Sequence, residues 1–218
     1  MGGMLPAKSE DLHASFAKGL AQVALCDGEI VGYVRLKPLL SANLARGLGI
    51  GPLSVHEVGS AMVRARFRSH GLYSKLRNSL YLNHLDNANR NGESALILGT
   101  TVYPAVVRSI GHAREEGIDI SIIRHTDLPM IAALTCVCES GEMRGMHLGC
   151  GACRVRIDSR EAPRVNQILS LPVEHSQSPC VMHVHDMEMA SYIDATLRDR
   201  FGNAQNFVDY LKNQNYYD

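Results

Sequence analysis

Residues 55–63 (VHEVGSAMV), 64–71 (RARFRSHG) and 72–91 (LYSKLRNSLYLNHLDNANRN) form the stretch of sequence that decides the fold. The first segment has the length and composition of a strand. The last segment carries leucines at helical spacing, and Gly92 follows it as a residue that commonly ends a helix. The sequence therefore predicts a strand, a turn and a helix in direct succession.

The segments before this unit predict a β-hairpin and a loop. Residues 21–26 and 29–40 are rich in Val, Ile, Leu and Tyr, and Asp27-Gly28 between them is a strong hairpin signal. Residues 41–52 contain three glycines and a proline, which predicts an irregular loop.

The segments after this unit alternate between strand and helix patterns. They predict strands at residues 94–99, 118–124 and 180–187, a helix that starts at a Thr101 cap and runs to Gly117, and one or two helices within residues 190–211. Helices interleaved with strands indicate a mixed α/β sheet with helices packed against it.

Composition narrows the classes of function. The 22 basic residues balance 22 acidic ones, so no overall charge would attract nucleic acid. No apolar run is long enough to cross a membrane, and the first ten residues do not resemble an export signal. We therefore expect a cytoplasmic protein without a nucleic-acid or membrane partner.

The turn between the strand and the helix has the properties of an anion site. Free backbone N–H groups at a helix start favour a phosphate, Gly71 permits close approach, and Arg64, Arg66 and Arg68 add positive charge. A pyrophosphate would fit this chemistry. The alternative is an ordinary strand-to-helix turn with solvated arginines.

The order of these segments resembles the GNAT superfamily of acyl-CoA-dependent N-acyltransferases over residues 21–124. The family's pyrophosphate loop has the pattern Arg/Gln-x-x-Gly-x-Gly/Ala, and Arg68 and Gly71 match two of its three positions. The resemblance implies a mixed, mostly antiparallel sheet flanked by helices, that is, an α/β (α+β) fold, and acetyl-CoA as co-substrate.

The resemblance also implies roles for individual residues. Glu57 matches the position where several members carry the general base, although a purely structural hydrogen-bond network is the alternative for it. Backbone groups in the Met62 to Ser74 segment would hold the co-substrate. Met62 and Val63 would contact the pantetheine arm, and the pyrophosphate would be surrounded by Arg68, Ser69, His70, Gly71, Leu72, Tyr73 and Ser74.

Two positions depart from the family pattern. Tyr73 replaces the small third residue of the loop, so its side chain must turn aside or crowd the pyrophosphate. Ala113 stands near where many members carry a tyrosine that protonates the leaving thiolate; Tyr103 and His112 lie on the same predicted helix, and the general acid stays unassigned.

Four cysteines are grouped in the last third of the chain. Cys136 and Cys138 form C-x-C, and Cys150 and Cys153 form C-x-x-C, a set that suits structural Zn²⁺. A strand over residues 131–137 would place the first pair on one face. Unligated thiols and a redox-active C-x-x-C pair are the alternatives.

We therefore expect a GNAT-type N-acetyltransferase that acts on a small-molecule or protein amine and is able to form a homodimer. Residues 1–125 would form the acyl-CoA-binding core, residues 126–179 a Cys-containing insertion, and residues 180–218 a C-terminal part of the same domain. The rival hypothesis is a catalytically inactive GNAT-like module that binds or regulates.

The cysteine set gives a first testable prediction. Elemental analysis of protein purified without added metal should find about one zinc per chain, because four thiolates saturate a tetrahedral ion. Cys150→Ser should lower this content, whereas Cys26→Ser, outside the set, should not. Absence of zinc together with four titratable thiols in the set would refute the site.

Overall fold

The structure, a computed structural model, describes residues 9–101, 106, 109–110, 113, 117–123, 127–136 and 181–213. The strands are β1 (Ala21–Cys26), β2 (Glu29–Leu40), β3 (Leu53–Val63), β4 (Ser94–Thr101), β5 (Ile120–Ile123) and β6 (Val181–His185). They form a six-stranded sheet in the order β1-β2-β3-β4-β6-β5. Only the β3–β4 pairing is parallel, which confirms the expected mixed, mostly antiparallel sheet.

Helices cover both faces of this sheet. They are α1 (Ser9–Ala17), α2 (Ala42–Leu48), α3 (Leu72–Arg90), α4 (Pro129–Cys136), α5 (Met187–Phe201) and α6 (Ala204–Asn213). Residues 106, 109–110 and 113 are also helical. One face packs against α3 and residues 110 and 113, and the opposite face packs against α2, α4, α5 and α6. None of the helices in the described part of the chain is long and apolar enough to cross a membrane.

The hairpin and the long helix form where the sequence predicts them. Cys26 pairs with Glu29 across a two-residue turn in which Asp27 and Gly28 have φ angles of 53° and 80°. Two consecutive positive φ angles are what a tight hairpin turn needs, and Asp-Gly tolerates them. Helix α3 ends at Arg90, and Gly92 follows with φ 67°.

The prediction of an irregular loop at residues 41–52 is wrong, because α2 lies inside it. The hydroxyl of Ser41 caps the helix by accepting a hydrogen bond from the Leu44 amide at 3.3 Å. Gly49 ends it in the left-handed conformation with φ 82°. These residues are therefore the start and end signals of a short helix and not breaks in a loop.

The prediction of a strand over residues 131–137 is also wrong for residues 131–136, because these residues belong to α4. The carboxylate of Asp194 in α5 accepts hydrogen bonds from the amides of Met130 and Ile131 at 2.7 and 3.1 Å. It thus satisfies donors at the helix start that have no partner within the helix. Thr101 is the last residue of β4, and its predicted role as a helix cap involves residues 102–105, which lie outside the described residues.

A β-bulge in β3 changes which side chains share a face. Arg35 pairs with Ser60 and Leu36 pairs with Val58, so Gly59 is an extra residue on β3. Simple alternation along a strand over residues 55–63 would place Gly59, Ala61 and Val63 on the face of Glu57, but the bulge shifts the alternation beyond Glu57. Register places Glu57, Ser60 and Met62 on one face, while Val58 and Ala61 pack against the α3 side.

Gly99 in β4 lies directly opposite His183 in β6. A Cβ at position 99 would come within 2.2 Å of the imidazole of His183. That imidazole is buried and lies 3.2 Å from the hydroxyl of Tyr81 in α3, so it has little freedom to move away. The close approach of β4, β6 and α3 therefore requires a glycine at this position.

Gly99→Ala should consequently destabilise the fold by about 1–3 kcal/mol, as expected for overpacking of a rigid core. Gly47→Ala is the matched control, since a Cβ there meets nothing within 4 Å and lies in α2. The control should gain about 0.5–1 kcal/mol from helix propensity. Urea unfolding measures the free energy of unfolding of both variants, and equal stabilities for Gly99→Ala and Gly47→Ala would contradict the packing argument.

Candidate active site

Strands β3 and β4 part at Glu57. They pair in parallel from Leu53–Ser94 to Glu57–Leu98. Beyond that point, in the described residues, β3 continues to Val63 paired with β2 alone, and β4 continues to Thr101 paired with β6 alone. The two strands therefore leave an opening between them whose narrow end is at Glu57.

Glu57 lies half-buried at this narrow end. Its Oε1 accepts a hydrogen bond from the hydroxyl of Thr100 in β4 at 3.2 Å, and Lys37 stands opposite it in β2. Burial raises the pKa of the Glu57 carboxyl to about 7, although the Thr100 hydrogen bond and the positive charge of Lys37 act to lower it. This carboxyl can therefore exchange a proton near neutral pH.

His56, the neighbour of Glu57 in sequence, belongs to the other face. Its Nδ1 lies 3.1 Å from Nε2 of His84 in α3. Burial, with a smaller contribution from His84, lowers the pKa of His56 to about 3. The imidazole is thus neutral and turned away from Glu57, which leaves the carboxylate as the base on its face.

Met62 and Val63 lie on the section of β3 beyond Glu57. Met62 pairs with Tyr33 and Val63 pairs with Gly32, so β2 holds one edge of this section. The other edge faces the opening toward β4. A ligand lying in the opening could therefore hydrogen-bond to backbone groups here as an additional strand would.

The turn predicted to bind an anion follows directly where β3 ends. The Nε of Arg68 donates to the carbonyl of Val63 at 2.9 Å, and Nδ1 of His70 lies 2.6 Å from the carbonyl of Arg68. Ser69 and Gly71 have φ angles of 64° and 72°. The turn is thus tied to the end of β3 and shaped by two left-handed residues.

Helix α3 starts immediately after this turn without a side-chain cap. Its N-cap residue is Gly71, so no side chain accepts from the amides of the first turn, which includes Leu72, Tyr73 and Ser74. Uncapped amides at the positive end of a helix favour an anion. The exposed side chains of Arg66 and Arg68 add positive charge, whereas Arg64 forms an ion pair with Glu29.

Tyr73 turns aside from the turn. Its ring packs with the core on the α3 side and lies 5.6 Å from the guanidinium carbon of Arg77. Burial raises the pKa of its hydroxyl. The side chain that departs from the family pattern is therefore directed into the core.

Sequence reasoning missed four side chains around Glu57. Thr100 makes its hydrogen bond from β4, and Lys37 lies opposite in β2. Arg35 and Ser60 pair with each other on the same face by register. Alternation along β2 could have shown that residues 35 and 37 share a face, but their partners depend on the bulge.

Several predicted residues are not brought together here. Ala113 is buried in the α3-side core, and Tyr103 and His112 lie outside the described residues. Cys136 is the last residue of α4, whereas Cys138, Cys150 and Cys153 also lie outside them. No three His, Cys, Asp or Glu side chains in the described ranges are arranged to hold a metal ion. The zinc site stays a prediction.

Comparisons with known proteins find similarity to this chain in fold alone. No family model matches the sequence, and no curated protein sequence matches it significantly. Similar solved structures include a diaminobutyrate acetyltransferase from Paenibacillus lautus, which is 14% identical at a TM-score of 0.36, with 78% of this chain and 71% of that chain covered.

Two others are a ribosomal-protein-alanine N-acetyltransferase from Brucella melitensis and a polyamine N-acetyltransferase from Drosophila melanogaster. The first is 12% identical at a TM-score of 0.39, with 81% of this chain and 74% of that chain covered. The second is 14% identical at a TM-score of 0.38, with 84% and 85% covered. Likeness at these values carries no conclusion about activity.

The environment of Glu57 predicts a pH-dependent effect on stability. Because the pKa of Glu57 is raised in the folded state, the protonated carboxyl contributes its full stability below the unfolded-state pKa, near 4.5. This contribution to the free energy of unfolding is lost as the pH rises through about 7. The glutamine in Glu57→Gln is neutral at every pH, so the variant has no such loss of stability at high pH. The variant should therefore be more stable than the wild type at pH 8.5, by on the order of 1 kcal/mol, and equal to it at pH 4.5.

Thermal unfolding at the two pH values measures this difference, with about 2–4 °C expected per kcal/mol. Glu93→Gln is the control; it removes a carboxylate that pairs with Arg46 at 3.6 Å on the surface, so any change in stability should be below about 1 kcal/mol and similar at the two pH values. A Glu57→Gln variant that is less stable than the wild type at pH 8.5 would show that the carboxylate is needed for structure.

Proposed function

We propose that the protein is a GNAT-type N-acyltransferase that transfers acetyl from acetyl-CoA to a primary amine, with Glu57 as general base. The observation that carries the proposal is the parting of β3 and β4 at a half-buried carboxyl with a pKa of about 7. An opening in a sheet provides backbone groups for an extended ligand, and the carboxyl at its apex can accept a proton from an attacking amine.

The co-substrate fits along the free edge of β3 and the turn beyond it. Backbone groups of Met62 and Val63 would hold the pantetheine arm, which is extended and polar. The amides of residues 69–74 at the uncapped start of α3 would receive the pyrophosphate, together with the side chain of Arg68, whose own amide donates to the carbonyl of Ala65 at 3.2 Å. Gly71 has a left-handed conformation and carries no Cβ. A Cβ placed there would have no other atom within 4 Å, so the space beside the backbone is open to a phosphate oxygen.

The acetyl group passes from CoA to a neutral amine by addition and elimination, without a covalent enzyme intermediate. The lone pair of the amine nitrogen attacks the thioester carbonyl, the C–N bond forms, and the C–S bond breaks as the tetrahedral intermediate collapses. Glu57 takes one proton from the nitrogen, and the departing thiolate takes up one proton. The products are an N-acetylated amine and the free thiol of CoA.

The environment of Glu57 suits this step. A base is most effective when its pKa lies near the working pH, because it is then both ionised and basic enough to remove the proton. A fully solvated glutamate, with a pKa near 4.5, would be ionised but a weaker base. Burial, which raises the pKa to about 7, therefore favours catalysis at neutral pH.

The three-part organisation of the chain belongs to the same proposal. Residues 1–125 contain β3, the turn and α3, which would bind the co-substrate. Strand β6 lies between β4 and β5 in the same sheet, which supports assigning residues 180–218 to the same domain. Residues 126–179 would be an insertion, and its first helix, α4, packs into the common core.

Glu57→Gln should separate binding from transfer. Calorimetric titration should show one acetyl-CoA site per chain with similar affinity in the wild type and the variant, because the side chain contacts the amine and not CoA. Release of CoA thiol with a panel of primary amines at pH 7.5 should fall by about tenfold or more, in line with general-base contributions of about 10²–10⁴.

Glu93→Gln is the matched control for the loss of a carboxylate and should change neither measurement. Failure of the wild type to bind acetyl-CoA at millimolar concentration would refute the proposal. Binding without transfer to any amine would favour the inactive binding module, and an unchanged rate in Glu57→Gln would exclude Glu57 as the base.

A further inference from the structure

Two polar groups on the same face as Glu57 are buried and have no hydrogen-bond partner in the part of the chain that the structure describes. They are the hydroxyl of Ser60 and the Nε of Arg35. Ser60 is only 6% exposed, and Arg35 is half-buried. Buried polar atoms in native proteins nearly always have a partner, either a protein group or ordered water. The Nδ1 atoms of His183 and His185 on the α3 side also lack one among the described residues, so the pair at Arg35 and Ser60 points to a ligand because of its position beside Glu57 at the opening.

The register of β2 and β3 places these atoms beside the base. Arg35 is directly opposite Ser60, and Lys37 is directly opposite Glu57. Arg35 and Lys37 are two residues apart on β2, so all four side chains project from one face of the sheet. An amine that gives its proton to Glu57 must approach over this same face, which makes it the acceptor side of the opening.

The charges on this face select the chemistry of the acceptor. Two cationic side chains, Arg35 and Lys37, surround one carboxyl whose own charge is weakened by burial. A second cationic group on the acceptor would be repelled there. A carboxylate accepts hydrogen bonds from both a guanidinium and a hydroxyl, and the planar guanidinium matches its two oxygens.

We infer that the amine acceptor is an amino acid, or a similar amine bearing a carboxylate near its nitrogen, and that Arg35 and Ser60 bind this carboxylate while the amine faces Glu57. The inference rests on the proposed function and adds the class of acceptor to it. Arg35 and Ser60 are binding residues in this arrangement, and the proton still passes from the nitrogen to Glu57.

Synthetic conjugates of CoA with simple amino acids test the class of acceptor directly. In these probes the CoA sulfur is joined through an acetyl bridge to the nitrogen of glycine, β-alanine or γ-aminobutyrate, which varies the distance from nitrogen to carboxylate. Each acid has a neutral partner in which the carboxylate is replaced by a carboxamide. Calorimetry measures the affinity of every member of each pair.

At least one acid conjugate should bind the wild type about tenfold or more tightly than its amide, since charge-assisted hydrogen bonds to a buried site contribute that much. The preference should fall to about threefold or less in Arg35→Met, which keeps the length of the side chain without its charge. Arg35→Lys should retain part of it. Arg46→Met, on the exposed surface of α2, should leave it unchanged.

Ser60→Ala guards against a variant that merely fails to fold. Its removed hydroxyl has no partner among the described residues, so the variant should be at least as stable as the wild type and still lose part of the preference for the acid. A site with only a structural role would not show this combination of unchanged stability and reduced discrimination.

The outcomes separate the two proposals. Equal affinity for acids and amides, with acetyl-CoA bound normally, would overturn the acceptor class and leave the acyltransferase standing. A preference that persists in both Arg35→Met and Ser60→Ala would overturn the assignment to these residues. Failure of acetyl-CoA and every conjugate to bind would overturn the proposed function and this inference with it.

Discussion

The constraint on which the rest of the structure depends is the extra residue in β3. Gly59 has no partner in β2, since the pairing moves from Leu36–Val58 directly to Arg35–Ser60. A bulge bends its strand and increases the local twist, and this one lies two residues beyond the last β3–β4 pair. A side chain at position 59 would press its Cβ to 3.0 Å from the Cβ of Lys37, so glycine accommodates the bulge with little strain. The opening between β3 and β4 and the position of Glu57 at its apex both follow from this local geometry.

The same geometry explains why burial determines the state of Glu57. At the apex, the carboxyl lies between two strands where little water can solvate it, and loss of solvation disfavours the charged form. Lys37 opposes this effect, but its side chain is exposed, and a pair of charges 4 Å apart in water interacts by only about 1 kcal/mol. One hydrogen bond from Thr100 is also too weak to restore the solvation that was lost. Desolvation therefore outweighs both opposing effects, and the pKa rises to about 7.

Local signals in the sequence predicted much of the frame, and long-range contacts account for most of the errors. The Asp27-Gly28 turn and the leucine pattern of α3 act within one element, so composition and spacing were sufficient for them. The strand expected at residue 131 failed because an apolar segment suits a helix as well as a strand, and Asp194, over sixty residues away, caps the helix that forms. Glu57 was identified as a candidate from its family position. Its partner Thr100 could not be found in that way, because the contact depends on where β3 and β4 stop pairing.

Buried polar atoms without a partner among the described residues occur on both faces of the sheet, and their neighbours distinguish those on the face of Glu57. On the α3 side, the buried guanidinium of Arg77 donates to Ser109 and Asn78 at 2.7–3.0 Å, so its burial is compensated. On the face of Glu57, the Nε of Arg35 and the hydroxyl of Ser60 have no such partners within the described ranges, and an unsatisfied buried polar group costs about 1–3 kcal/mol. The Nδ1 atoms of His183 and His185 on the α3 side also lack a partner among the described residues. Arg35 and Ser60 differ from them because they lie opposite each other on β2 and β3 and share a face with Glu57. Such a cost is tolerated at a site whose missing hydrogen bonds are made by a ligand, and a carboxylate supplies acceptors for both donors at once.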